Sequence, residues 1–240
     1  MSTQSLDAHN EADHPPAVAL RGTMPEEQML YDRLIDAIID KRLRPGQHLN
    51  EVKLAAAYNV PRSRIRRVLE RLRDESVVEF QLNRGAFVSR PTVKEAIDVF
   101  EARRHLDVAI AEMVCRRATQ ADIVTLRHHV GRQHQVIHTG GAEINRVGAD
   151  FHELLAEMSG NEVIRRMLTV LMRRVSLIQS LYERSNSICL VHDHETLIDK
   201  IEAGDVEGAR NEALRHCEHI EAALDFTERR RLEIDIYELP

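Results

Sequence analysis

The sequence predicts a mainly α protein: an N-terminal winged helix-turn-helix plus a C-terminal antiparallel six-to-seven-helix bundle. Three observations predict it. Two short helical patterns meet at a tight turn, and the second is strongly basic. A hairpin signal follows directly. From Thr92 onward the apolar residues recur at helical spacing, with short polar breaks and little strand pattern.

The elements follow in chain order. Residues 1–24 are polar and unpatterned, without the apolar core of a signal peptide, and are expected to form a disordered arm. Residues 25–91 hold the winged helix. Leu30 to Ile39 carries apolar residues at helical spacing, and Arg44-Pro45-Gly46-Gln47 breaks it. Glu51 to Tyr58 is a short helix with Leu54, Ala55 and Tyr58 inward; Asn59 stops it, and Pro61 opens the next. Pro61 to Arg73 holds six arginines and one glutamate in 13 residues. Ile65, Val68, Leu69 and Leu72 fall at i, i+3, i+4 and i+7, so they share one face. Arg66 and Arg67 project from the opposite face, and Arg62 lies at the exposed first turn. Guanidinium forks match phosphates and the O6/N7 edge of guanine, so this helix suits a DNA groove. Val77 to Leu82 reads as a strand, Asn83-Arg84-Gly85 as a turn, and Ala86 to Ser89 as the returning strand. Gly85 is expected at positive φ, and Arg84 beside it is placed to reach DNA.

Charge is segregated. The net charge is −6, but residues 25–91 carry 13 Lys/Arg against 10 Asp/Glu, or +3, and the remainder carries 20 against 29, or −9. One part is therefore suited to phosphate and the other is not. Aromatics make up 4% of residues and Trp is absent, which argues against stacking platforms for single strands. Cys115, Cys189 and Cys217 lack CxxC spacing and read as reduced thiols of a cytoplasmic protein. No apolar run reaches the roughly 18 residues that a membrane span needs.

Residues 92–230 are expected to form an all-α effector-binding and dimerisation domain, with Pro91-Thr92 as the junction and 231–240 as a C-terminal tail. Six helical patterns run from Val93 to Arg117, Gln120 to His138, Glu143 to Met158, Glu162 to Glu183, Cys189 to Glu202 and Val206 to Phe226. His152, His194 and His216 lie near apolar positions on three separate patterns. Each reads either as a core histidine with a hydrogen-bond partner or as one ligand of a shared metal site. Spacing alone leaves both open. His128, His129, His134 and His138 crowd one helix and are expected to face solvent. The sequence shows no Gly-x-Ser-x-Gly, no P-loop and no GxGxxG.

Pro45-Gly46, Leu49-Asn50-Glu51, Leu54-Ala55, Val60, Arg62, Ile65-Arg66, Leu69, Leu72, Val77-Val78 and Asn83-Arg84-Gly85-Ala86-Phe87-Val88 resemble the GntR-family winged helix over residues 25–90. Pro61, Arg64, Arg67-Val68 and Val52 depart from the usual family residues. The resemblance implies DNA contacts by Arg62, Ser63, Arg64, Arg66, Arg67, Arg84 and Gly85. Phe151-His152 followed by Leu154-Leu155 and Ser159-Gly160-Asn161, then His194-Glu195, Ile201-Glu202-Ala203-Gly204-Asp205, Ala209-Arg210 and Leu214-Arg215-His216, resemble the FCD ligand-binding domain of FadR-type GntR regulators. That likeness implies a divalent ion, zinc or nickel, held by His152, His194 and His216. The aspartate expected one turn before His152 is Gly148 here. It also implies an effector site at Arg103, His152, His194 and His216 for a small carboxylate. The function expected is a homodimeric, metabolite-responsive repressor of a catabolic or transport operon, acting on a palindromic double-stranded operator, with no enzymatic activity. The rival is a metal-dependent hydrolase using the same three histidines, with Asp150 or Glu153 as its base.

Overall fold

The computed structural model describes residues 25–139, 144–183 and 191–227. The expected arm, the tail and Cys189 lie outside them, as do Gly140, Gly141 and Arg184-Ser185-Asn186 from two expected breaks.

The amphipathic start of the chain forms α1 (Pro25–Ile39), whose Leu30, Leu34 and Ile38 are buried. Asn50 then caps α2 (Glu51–Tyr58), accepting from the amides of Val52 and Lys53, and Asn59 ends it in the left-handed conformation at φ 53°. Helix α3 (Arg62–Asp74) buries the apolar stripe read from the sequence, Ile65, Val68, Leu69 and Leu72. Each of these buried side chains contributes on the order of 1.5–3 kcal/mol. The wing is β2 (Val78–Gln81) paired antiparallel with β3 (Gly85–Val88). A third strand, β1 (His48–Leu49), pairs with the other edge of β3, giving the order β1-β3-β2. At two residues it is too short to show an alternating pattern, and the sequence reading missed it.

Thr92 starts the bundle with a reciprocal capping box to Glu95. The helices are α4 (Val93–Arg117), α5 (Gln120–Thr139), α6 (Ile144–Met158), α7 (Glu162–Tyr182), α8 (Val191–Glu202) and α9 (Val206–Ala222). Their core includes Ile110, Leu126, Phe151, Leu155, Leu168, Ile198 and Ala213. The last helix stops at Ala222, short of the expected Phe226. Leu224 turns back to bridge Glu183, the Asp225 amide donates to the Tyr182 carbonyl at 2.7 Å, and Phe226 packs on Tyr182. An apolar tail that folds back mimics a helix pattern in sequence.

The winged helix is seated on α6 and α7. Leu177 of α7 is fully buried in the winged-helix core. Arg146 of α6 reaches Asp36 and Asp40 on and just after α1, at 2.7 and 3.0 Å. Arg173 of α7 pairs with Glu75, which ends α3 and also accepts from the Tyr31 hydroxyl. Lys41 donates to Glu183 at 2.6 Å. Among the described residues, no helix is long and apolar enough to cross a membrane.

Candidate functional site

Two sites emerge, one on the winged helix and one inside the bundle. On the winged helix, Arg62 and Arg66 present side chains that are 63% and 61% exposed. Arg62 pairs with Glu51 at 2.9 Å and Arg66 with Glu70 at 3.2 Å. Arg67 is exposed and held by Glu27. Ser63 is exposed beside them. Arg64 is set apart: its side chain is only 18% exposed and is gripped by Glu26, with Glu27 at 3.8 Å. At the wing, Arg84 lies 5.1 Å over the Phe87 ring. Gly85 has φ +89°, and a Cβ there would meet His48 Nε2 at 3.2 Å. This is a position for glycine. Leu82, at the wing tip, is 89% exposed and was not singled out in the sequence. It continues the alternation of Val78 and Phe80, which reads as a buried strand position, so nothing in the sequence signalled its exposure.

In the bundle, α6, α8 and α9 bring His152, His194 and His216 together. His216 Nε2 lies 3.2 Å from both His194 Nε2 and His152 Nε2. All three rings are buried. Phe151 stacks on His194 with ring centroids 3.9 Å apart and seals that side. Two of the outer nitrogens have hydrogen-bond partners. His194 Nδ1 meets Gln133 Oε1 at 2.9 Å, and His216 Nδ1 meets Asp193 Oδ2 at 3.3 Å. His152 Nδ1 lies 3.8 Å from Asp107 Oδ2. Acceptors at Nδ1 favour the tautomer that leaves the Nε2 lone pairs pointing inward.

That arrangement fits a metal ion. Ligands at the ordinary zinc–imidazole length of about 2.05 Å, spread tetrahedrally, stand about 3.3 Å apart. The two Nε2 distances from His216, 3.2 Å each, match this, and all three ligand atoms lie within 4.8 Å of one another. Burial holds His152 and His194 well below the ordinary histidine range; the neighbouring Arg103 and histidines push the same way. His216 is also lowered by burial, although Asp193 pulls it upward. Neutral imidazoles are the form that binds metal. Burial pushes Asp193 up, but hydrogen bonds from His216 and His219 outweigh it and set the carboxyl at about 2.

Arg103 is not a surface residue: it is 1% exposed, pointing into the site from α4. Its Nε donates to Asp107 at 3.0 Å, and its Nη2 lies 2.9 Å from His152 Nε2. Guanidinium can only donate, so this contact uses the very lone pair an ion would take. Cys217 also donates to Asp107, at 3.1 Å, and burial pushes its thiol up. A cavity of about 10 Å³ beside the cluster, bounded by Asp107, His152 and His216, has room for about one water. Gly148 supplies no ligand. Asp150 and Glu153, the bases a hydrolase would need, are on the exposed side of α6.

Sequence reasoning missed Asp107, Gln133, Asp193 and His219. Gln133 had a signal: it continues the buried row Ile123, Leu126, Val130 on α5 as a lone amide. Of the histidines expected at the surface, His128, His134 and His138 are exposed, but His129 is half-buried with Nε2 2.9 Å from the Val147 carbonyl.

Known proteins carry both parts. Residues 26–88 match the family described as bacterial regulatory proteins, gntR family, and residues 98–219, half of the chain, match the FCD domain. The chain belongs to the GntR family. It is a transcriptional regulator with an FCD domain, not an enzyme, and GntR regulators bind DNA operators. This GntR regulator is 23% identical over 209 residues to the HTH-type transcriptional regulator YdhC of Bacillus subtilis, covering 84% of this chain and 93% of that one. It is 28% identical over 137 residues to the Nta operon transcriptional regulator of Aminobacter aminovorans, covering 57% and 65%. Its fold resembles that of E. coli McbR/YncC, with TM-score 0.76, 19% identity and coverage of 83% and 97%. A GntR regulator from Rhodococcus sp. RHA1 gives TM-score 0.72 at 22% identity with the same coverage.

Proposed function

We propose that this GntR regulator is a cytoplasmic, homodimeric repressor that binds a palindromic operator and is released or retained by a small carboxylate in the bundle. The observation that carries the effector site is the convergence of three neutral imidazole Nε2 atoms beside a buried arginine. His152, His194 and His216 would hold a zinc or nickel ion. Such an ion would supply a compact positive centre for an anionic oxygen. Arg103 would then leave His152 and donate both arms of its fork to the same carboxylate, while Asp107 keeps its charge balanced. The lack of a carboxylate at Gly148 leaves a coordination position to the effector and keeps the site more positive. Two relatives carry operon regulation in their names, the Nta operon regulator and the Uxu operon regulator of Haemophilus influenzae, which supports control of an operon here. Release needs differential affinity: the effector must prefer one placement of the winged helices and the operator another.

A second reading has its own support. The Arg103–His152 contact makes sense in a metal-free polar core where the arginine alone meets the anion. Metal analysis of protein purified without chelator, with calorimetry on added zinc and nickel, separates the two. Bound metal that is lost in His194→Ala, with DNA binding kept, supports the ion site. No metal and no heat would leave the metal-free reading.

A further inference from the structure

The buried amide of Gln133 touches the histidine cluster and α6 at once. Its Oε1 faces His194 Nδ1 at 2.9 Å, and its Nε2 donates to the Val147 carbonyl at 2.9 Å. The side chain is 1% exposed, so water does not compete for either bond. The residue before Val147 is Arg146. Its guanidinium leaves the bundle and spans Asp36 on α1 and Asp40 just beyond it, at 2.7 and 3.0 Å. Helix α6 also carries His152 into the cluster, six residues along from Arg146.

We propose that Gln133 and Arg146 form a coupling device by which occupancy of the histidine cluster sets how firmly the winged helix is docked on its own bundle. The proposal rests on the reading of that cluster as the effector site and names the contacts through which the site acts. The physical requirement for coupling is an element with two arrangements that both sites bias. Helix α6 meets it. At its middle, His152 answers to the cluster. At its N-terminal end, its first turn is held by Gln133 from within and holds α1 from without. A rigid helix transmits a small shift along its axis, because its backbone hydrogen bonds do not stretch appreciably. The receiving end is sensitive: one guanidinium bridges two carboxylates, and that paired geometry fails over a displacement of about an ångström. The other contacts, Arg173 with Glu75 and Lys41 with Glu183, lie on and at the end of α7 and lack a polar link to the cluster among the described residues. They serve as the fixed side about which the Arg146 side opens. A lysine at position 146 keeps the charge but lacks the fork, so charge and geometry can be told apart.

Amide hydrogen exchange of α1, read by mass spectrometry on the full chain, tests the proposal in two arms. In the first, without metal, Gln133→Met and Arg146→Ala should each raise exchange in α1 severalfold. Arg146→Lys should fall between wild type and Arg146→Ala. Faster exchange in α5 and α6 alone, with α1 unchanged in Gln133→Met, would reduce Gln133 to a local packing residue and overturn the proposal. In the second arm, zinc is the probe. Zinc should alter α1 exchange in wild type but not in Arg146→Ala, while calorimetry gives both proteins the same zinc affinity. Zinc that binds wild type and leaves α1 unaltered would overturn the coupling. Failure of zinc to bind wild type sinks the ion reading instead, and the first arm then decides the coupling by itself.

Discussion

Acidification should weaken the metal-free protein through its buried histidines. His152 and His194 are held well below the usual range by burial and by neighbouring positive charge, so they stay neutral in the folded state. Unfolded, each takes up a proton near the reference value of about 6.5. Where the unfolded state binds more protons, stability falls as pH falls. The loss therefore begins as pH drops through about 6.5 and grows below it. Between pH 7.5 and 5.5, one histidine neutral when folded and ordinary when unfolded costs about 1.4 kcal/mol, and two cost about 2.7 kcal/mol. His216 is left out of this sum because Asp193 opposes its burial. Other groups also titrate here, so the test is a difference. Urea unfolding in the presence of chelator, at both pH values, should show wild type losing about 1.4 kcal/mol more than His194→Gln. The same pH loss in both proteins, to within about 0.3–0.5 kcal/mol, would refute a neutral, buried His194.

Three further outcomes are expected. Arg62→Ala or Arg66→Ala should cost roughly 1–3 kcal/mol on the operator and less on random duplex, measured by fluorescence anisotropy; equal losses on both would make them phosphate contacts only. Arg84→Ala should weaken operator binding and reduce the magnitude of the salt slope by about one, and an unaltered slope would mean that the wing arginine does not meet phosphate. Gly148→Asp lies one helical turn before His152 and should tighten zinc binding in calorimetry; weaker binding would place position 148 away from the ion.

The winged helix was legible because each of its parts has a local cause. The stripe from Ile65 to Leu72 specifies a helix face, Asn59 a left-handed stop, and Gly85 a turn. The three histidines could be named as candidates but not shown to converge, since convergence depends on how α6, α8 and α9 pack. The resemblance to FCD domains supplied that link. What stayed hidden was second-layer chemistry. Asp107, Gln133 and Asp193 act by fixing the orientation of other side chains, and no spacing rule marks such residues. The seat of the winged helix on the bundle was hidden for a similar reason. Arg146, Arg173 and Lys41 each look like ordinary surface charges, and their partners lie about a hundred residues away or more.

On the proposed reading that α3 meets DNA, its guanidiniums would arrive already paired with carboxylates of the same protein. Glu51 holds Arg62, Glu70 holds Arg66, Glu27 holds Arg67 and Glu26 holds Arg64. Association is thus an exchange of partners, in which a phosphate or guanine edge takes the place of a carboxylate that must then turn away from the duplex. On random sequence the exchange gains little, since one anion replaces another and the freed carboxylate is left facing like charge. At a site whose bases accept both arms of the fork, the gain in geometry exceeds that loss. The same carboxylates that would soften the attraction of α3 for any duplex would therefore widen the gap between the right duplex and the rest.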